Sequence, residues 1–176
     1  MDRIRVATVW LDGCSGCHMS LLDIDERLLL LAERIELVYS PLVDAKVFPE
    51  NVDLAIVEGA VSSEDDLERI RLVRARSARL LALGDCAVTS NVPGMRNAFS
   101  RDALLRRAYI DNATLNPGIP DQHIPRLLPQ ARPVHAWVAV DVFVPGCPPP
   151  ADVIFETLAA LIEGGTPQRT NVPHFG

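Results

Sequence analysis

Short apolar runs rich in Val, Ile, Leu and Ala recur along this chain, and most are followed by a stretch whose apolar residues fall at helical spacing. That alternation limits the fold more than any other feature. Arg3–Trp10, Ile35–Tyr39, Asp53–Val57, Arg79–Leu83 and Val138–Val144 read as five strands. Met19–Glu33 reads as one helix, with Met19, Leu22, Leu28, Leu29, Leu31 and Ala32 at its apolar positions. Ser63-Glu64-Asp65-Asp66 is a capping signature for a helix running to about Arg76. Ala151–Glu163 reads as another, with Ile154, Leu158, Leu161 and Ile162 on one face and Gly164-Gly165 as its stop. Strands alternating with helices build a mostly parallel sheet covered on both faces. Five of them predict an α/β, flavodoxin-like doubly wound fold.

One stretch breaks the rhythm. Residues 91–133 hold Pro93, Pro117, Pro120, Pro125, Pro129 and Pro133, and suggest at most one short helix, near Arg101–Tyr109. A long proline-rich insertion in a compact domain is uncommon unless it is functional or ordered by a partner. A length of 176 residues suits a single domain, 1–176, carrying this insertion.

The four cysteines fall at informative places on this map. Cys14 and Cys17 follow the first strand, Cys86 the fourth and Cys147 the fifth. Each sits just beyond the carboxyl end of a strand, the edge where open α/β sheets build their sites. Ligands far apart in sequence therefore converge in space. Four thiolates at one point repel each other, and a multivalent metal centre removes that penalty. Gly13 and Gly16 let the backbone of the Cys14-Ser15-Gly16-Cys17 turn approach such a centre, and Gly146 with Pro148, Pro149 and Pro150 fixes Cys147 in a stiff loop. Alone, the Cys-x-x-Cys turn is equally a redox pair, a zinc half-site or a cluster half-site. Structural zinc usually pairs two such knuckles, whereas here one knuckle joins two isolated cysteines, so the spacing favours a [4Fe–4S] cluster over zinc. A zinc-stabilised interaction module and a thiol–disulfide oxidoreductase using Cys14 and Cys17 stay open at this point.

Composition removes other classes. With 48% hydrophobic and 23% charged residues, some apolar surface is left over for a partner. The net charge of −6 and the absence of a basic run argue against nucleic acid. The first residues lack a signal-peptide layout, and no run approaches the ~20 apolar residues of a membrane helix. A cytoplasmic protein without membrane insertion is expected, and in that reducing compartment cysteines serve metals or redox chemistry more than disulfides. No Gly-x-Gly-x-x-Gly follows the first strand, so nicotinamide is not expected to bind here. The Ser/Thr-rich phosphate loop of a flavodoxin is replaced by the cysteine turn, which leaves FMN supported by fold analogy alone.

At these residues the sequence resembles the small subunit of [NiFe] hydrogenases, most closely the soluble NAD⁺-reducing type. The matching pieces are Asp12-Gly13-Cys14-Ser15-Gly16-Cys17, Val57-Glu58-Gly59-Ala60, Gly84-Asp85-Cys86-Ala87 and Pro145-Gly146-Cys147-Pro148-Pro149. The quinone-reductase subunit of respiratory complex I is similar too, but it has adjacent cysteines in its first motif. The resemblance implies that Cys14, Cys17, Cys86 and Cys147 ligate the cluster nearest the nickel–iron centre, which lies in a separate large subunit that cleaves H₂. It implies electron transfer toward diaphorase iron–sulfur and flavin subunits that reduce NAD⁺, with no catalysis by this chain alone. For Glu58 it implies a proton-transfer or interface role. Longer hydrogenase small subunits add a region with two further clusters. No cysteine follows Cys147 here, so one cluster is expected and the next acceptor belongs to another chain.

Three further residues lie near the cysteines. Glu58 ends an apolar strand, where a carboxylate ordinarily caps a helix or faces solvent. His18 follows Cys17 and reads as a helix-start residue or as a hydrogen-bond donor to a cluster sulfur. Thr89, with Ser90, follows Cys86 and is a candidate donor of the same kind, although hydroxyls in loops are commonplace.

Overall fold

The structure is a computed structural model, and it describes residues 3–165. Its strands are β1 (Ile4–Trp10), β2 (Ile35–Tyr39), β3 (Val52–Glu58), β4 (Val61–Ser63), β5 (Ser77–Leu83), β6 (Leu127–Arg132) and β7 (Val142–Val144). Its helices are α1 (Gly16–Leu22), α2 (Leu28–Ala32), α3 (Glu64–Arg76), α4 (Gly84–Thr89), α5 (Asn91–Gly94), α6 (Arg101–Arg106) and α7 (Ala151–Ile162). The main sheet runs β2-β1-β3-β5-β7, every neighbouring pair parallel. This is the doubly wound order expected, with its switch point between β1 and β3.

Side chains alternate across the pleat and so build two cores. On one face Ala7, Val9, Ala55, Val57, Leu80 and Ala82 pack with Ile70 and Val73 of α3. On the other, Val6, Leu54, Ile56, Leu81 and Leu83 pack with Ile24, Leu31 and α7. The α3 cap is the predicted one: Ser63 accepts from Asp66 N–H while the Asp66 carboxylate accepts from Ser63 N–H. Gly164, at φ 77, closes α7.

Four expectations need correction. Met19–Glu33 is not one helix. It breaks into α1, a 3₁₀ turn at Asp25–Arg27 and α2, with Asp25 at φ 56. Ile24, 1% exposed at the break, packs into the second core with Leu31. Val138–Val144 is a strand only from Val142. Asp141 ends the irregular part: its N–H donates to Leu80 carbonyl (2.9 Å) and its carboxylate accepts from Leu80 N–H (2.7 Å), so a side chain occupies the place of a ladder carbonyl. Cys86 stands on α4 rather than in a loop.

Residues 91–133 are also more ordered than their prolines suggest. They form α5, a 3₁₀ turn at Met95–Ala98, α6 running into a π turn at Arg107–Asp111, and β6, which pairs antiparallel with β4. Arg96 donates to the carbonyls of Ser62 (3.1 Å) and Leu128 (3.0 Å), and the Asn97 amide exchanges two 2.8 Å hydrogen bonds with the Ala131 backbone. The segment folds onto itself and onto β4. Among the described residues no helix is long and apolar enough to cross a membrane.

Candidate metal centre

Parallel strands deliver their carboxyl ends to one rim, and the four cysteines stand there. Ser15, at φ 67, turns the chain from β1 into α1, placing Cys14 before the helix and Cys17 in its first turn. Gly84, at φ 83, turns β5 into α4 and sets Cys86 two residues on. Beyond β7, Gly146 takes φ 137, which an L side chain rarely adopts, and leads to Cys147 and a cis peptide bond to Pro148. Cys14 and Cys147 are exposed, Cys17 and Cys86 half-buried, and all four thiols are free.

The neighbouring thiols bear on Cys17 and Cys86. Burial first, then the Glu58 carboxylate, then Cys86, Cys14 and Cys147 push the Cys17 thiol up to about 12. Burial also raises Cys86; a hydrogen bond from Val92 N–H opposes it, and Cys147, Cys14 and Glu58 add to it. The rim therefore disfavours bare thiolates at Cys17 and Cys86. A multivalent iron–sulfur centre reverses that balance, because its ligand thiols are deprotonated outright.

The backbone leaves room for sulfur. A methyl group built on Gly84 would overlap the Cys17 sulfur, and one on Gly16 would stand 3.2 Å from the Cys14 sulfur. The start of α4, which carries Cys86, and the loop that carries Cys147 are stitched together: Asp85 N–H donates to Gly146 carbonyl (2.8 Å), and Gly146 N–H donates to the Asp85 carboxylate (2.7 Å). The Asn91 side-chain amide lies 3.4 Å from the Cys147 sulfur as a donor. Four thiols, sulfur-shaped glycine gaps and N–H donors suit a cysteine-ligated cluster.

Of the other residues singled out, two come together and one does not. Glu58, 3% exposed at the end of β3, accepts from the backbone N–H of His18 (2.6 Å) and lies 2.6 Å from its Nδ1. A carboxylate only accepts, so Nδ1 carries the proton. The ring of His18, 2% exposed, meets Trp10 edge-on at 5.2 Å. Solvent does not explain this carboxylate; it satisfies an N–H in the first turn of α1, as a helix cap does, but from a position 40 residues away. Thr89 turns away: it is exposed, and its hydroxyl donates to Asp85 carbonyl (2.9 Å). Asn91, Asp85 and Val92 escaped the sequence reading. Only the Asp85 position carried a signal, since an Asp beside a left-handed Gly ordinarily bonds backbone nearby.

The sequence profile described as NADH ubiquinone oxidoreductase, 20 Kd subunit, matches residues 14–161. The chain is 44% identical over 169 residues to the NAD-reducing hydrogenase HoxS subunit delta of Cupriavidus necator, covering 92% of this chain and 80% of that one. It is 37% identical over 167 residues to a subunit of the F420-non-reducing hydrogenase vhu of Methanocaldococcus jannaschii, covering 94% of this chain but 58% of that protein. In three dimensions it superposes on a chain of an NAD⁺-reducing [NiFe]-hydrogenase crystal structure in the H₂-reduced state, with a TM-score of 0.92, 40% identity and 97% of each chain covered.

Proposed function

The chain belongs to the NADH ubiquinone oxidoreductase 20 Kd subunit family, among the hydrogenase small subunits, and from that premise we propose that it carries electrons through one [4Fe–4S] cluster between a nickel–iron large subunit and a diaphorase unit that reduces NAD⁺. The observation that supports this reading is the arrival of four free thiols from three strand ends at one rim, where Cys14, Cys86 and Cys147 bear on Cys17, and Cys147 and Cys14 on Cys86. Cys14, Cys17, Cys86 and Cys147 would hold the cluster, which would supply a one-electron donor and acceptor.

The remaining roles belong to the protein. Gly84 and Gly16 let sulfur approach the backbone. Val92 N–H donates to the Cys86 sulfur and the Asn91 amide to the Cys147 sulfur, and donors of this kind stabilise the reduced, more negative state. Glu58 fixes a carboxylate beside Cys17 and favours the oxidised state. The proton-transfer role implied for Glu58 would run through His18 Nδ1, its hydrogen-bond partner. We assign residues 1–176 to one domain acting in the cytoplasm. We give FMN no role, since thiols occupy the loop that would cradle its phosphate.

Anaerobic co-purification of the large and small subunits, followed by metal and sulfide analysis and EPR, tests the proposal. The expected result is about four sulfide and about four iron per small subunit beyond the iron of the nickel–iron centre, lost in Cys147→Ser. One zinc per chain without sulfide overturns it. So does thiol–disulfide activity that needs Cys14 and Cys17 but not Cys86 or Cys147.

A further inference from the structure

Residues 91–133 are a basic segment in an acidic chain. They hold six arginines against three aspartates, with no lysine or glutamate, where the whole chain carries −6. Arg107, Arg126 and Arg132 are exposed, and among the described residues no carboxylate pairs with them. Two grooves cross the segment and share Asn97, Gln130 and Arg132 as walls. One passes Asn91 and Met95, and the other passes Phe99 and Arg101. Met95 and Phe99 stand 73% and 63% exposed there, and Val92 of the same short helices 60%. Apolar side chains gathered on a surface mark a place that another protein covers. Met, Phe and Arg are types enriched in such interfaces, and an excess of one charge sign selects a partner of the other.

This strip begins at the cysteines. The Asn91 amide donates to the Cys147 sulfur (3.4 Å), and the Val92 N–H donates to the Cys86 sulfur. A groove wall therefore touches one of the four sulfurs, and the next residue touches a second. From there the strip leads over Met95 and Arg132 to Phe99 and Arg101.

We infer that this basic and apolar strip is where electrons leave the chain, and that it docks the iron–sulfur subunit of the diaphorase unit through an acidic surface on that subunit. The inference rests on the electron-transfer reading above and adds to it the face on which the acceptor sits. One electron passes from the cluster on the four cysteines to the acceptor's iron–sulfur centre, the first being oxidised as the second is reduced, and no bond is made or broken. Asn91 and Val92 supply a bonded route from sulfur to the interface. The arginines steer and orient the encounter.

The assembled complex of large, small and diaphorase subunits is the material to test. Met95→Glu and Arg132→Glu each put negative charge on the strip from an exposed position outside the core. Both are expected to shed the diaphorase subunits in gel filtration at lower salt than wild type while keeping the large subunit. H₂-dependent NAD⁺ reduction should fall about tenfold in each, whereas H₂-dependent reduction of benzyl viologen, a small cation that needs no docking surface, should change less than about twofold. Iron content should stay unchanged. Arg132→Lys keeps the charge and should behave as wild type. Arg71→Glu makes the same reversal on the exposed face of α3 and should do so too. Undiminished retention of the diaphorase subunits in both Glu variants overturns the docking site. So does release of the large subunit, or separation of two copies of this chain, in place of diaphorase loss. A wild-type complex without an iron–sulfur signal would overturn the electron-transfer reading itself, and this inference with it.

Discussion

The two pairs of cysteines reach the same rim by different means. Cys14 and Cys17 are three residues apart, and one turn after β1 determines their relative positions. Cys86 and Cys147 come from separate strands, and their relative position depends on the β5–β7 register and on the Asp85–Gly146 stitch. A local turn refolds wherever its own backbone allows. A long-range pairing must first close a long loop, so distant residues can weaken it. The far pair is therefore the vulnerable half, and changes that touch no cysteine should reveal the difference.

Gly84 is where the halves meet, and the largest effect is expected there. It belongs to the far pair's frame, yet the space left by its missing side chain is filled by the Cys17 sulfur, and its φ is 83. Gly84→Ala adds a left-handed penalty of about 1–2 kcal/mol to a collision with a half-buried thiol. Cluster content per chain should fall to about a tenth or less. Gly16→Ala is the matched control in the near pair: its new methyl stands 3.2 Å from the sulfur of exposed Cys14, which has room to give. That variant should keep most of its iron. Equal iron loss in both would show that the halves do not differ.

Asp85→Ala acts on the far pair alone. It leaves the buried Gly146 N–H without its 2.7 Å acceptor, at a cost of about 1–3 kcal/mol. The cluster should still assemble but should leave faster under a chelator, and Cys147 should become the first thiol alkylated. Alkylation starting at Cys14 instead would move the weak point to the near pair.

The same contrast explains what could be read from the sequence. β1, β3 and β5 were legible because buried parallel strands are largely apolar runs, and β2, at the sheet edge, from its short Ile35–Tyr39 run; the cysteine positions followed from them. The near pair was legible because its geometry is local. β4 and β6 were not: Ser62 and Ser63 look like a loop, and Pro129, Gln130 and Arg132 contradict a strand, yet Arg96 and Asn97 hold the ribbon from outside. The helix under Cys86 was hidden because Gly-Asp-Cys reads as a turn. The Glu58–His18 pair spans 40 positions, and only the fold brings its members together. In each case the missing information was a tertiary hydrogen bond, which leaves no periodicity behind.

Asp141 offers the smallest and most selective way to disturb the far pair. It lies at the foot of β7, opposite the rim, where its carboxylate accepts from Leu80 N–H (2.7 Å) and from Arg74 (2.6 Å) and so starts the β5–β7 ladder. Burial pushes this carboxyl up, but the bonds from Arg74 and Leu80 and the charges of Arg74 and Arg79 outweigh it and hold it below the ordinary value of 3.8. A group depressed in the folded state stabilises above its unfolded pKa, and that contribution is lost as pH falls through the folded value. Wild type should therefore exceed Asp141→Asn in stability by about 1 kcal/mol at pH 7, a modest figure because the carboxylate is 42% exposed and screened by solvent. The gap should close progressively below about pH 4, as followed by denaturant titration at a series of pH values. Iron retention should follow the same course, Cys147 loosening before Cys14. A gap that stays constant from pH 7 to pH 3 would mean that the contacts of Asp141 do not depend on its charge, and the far pair would then owe its placement to the backbone ladder alone.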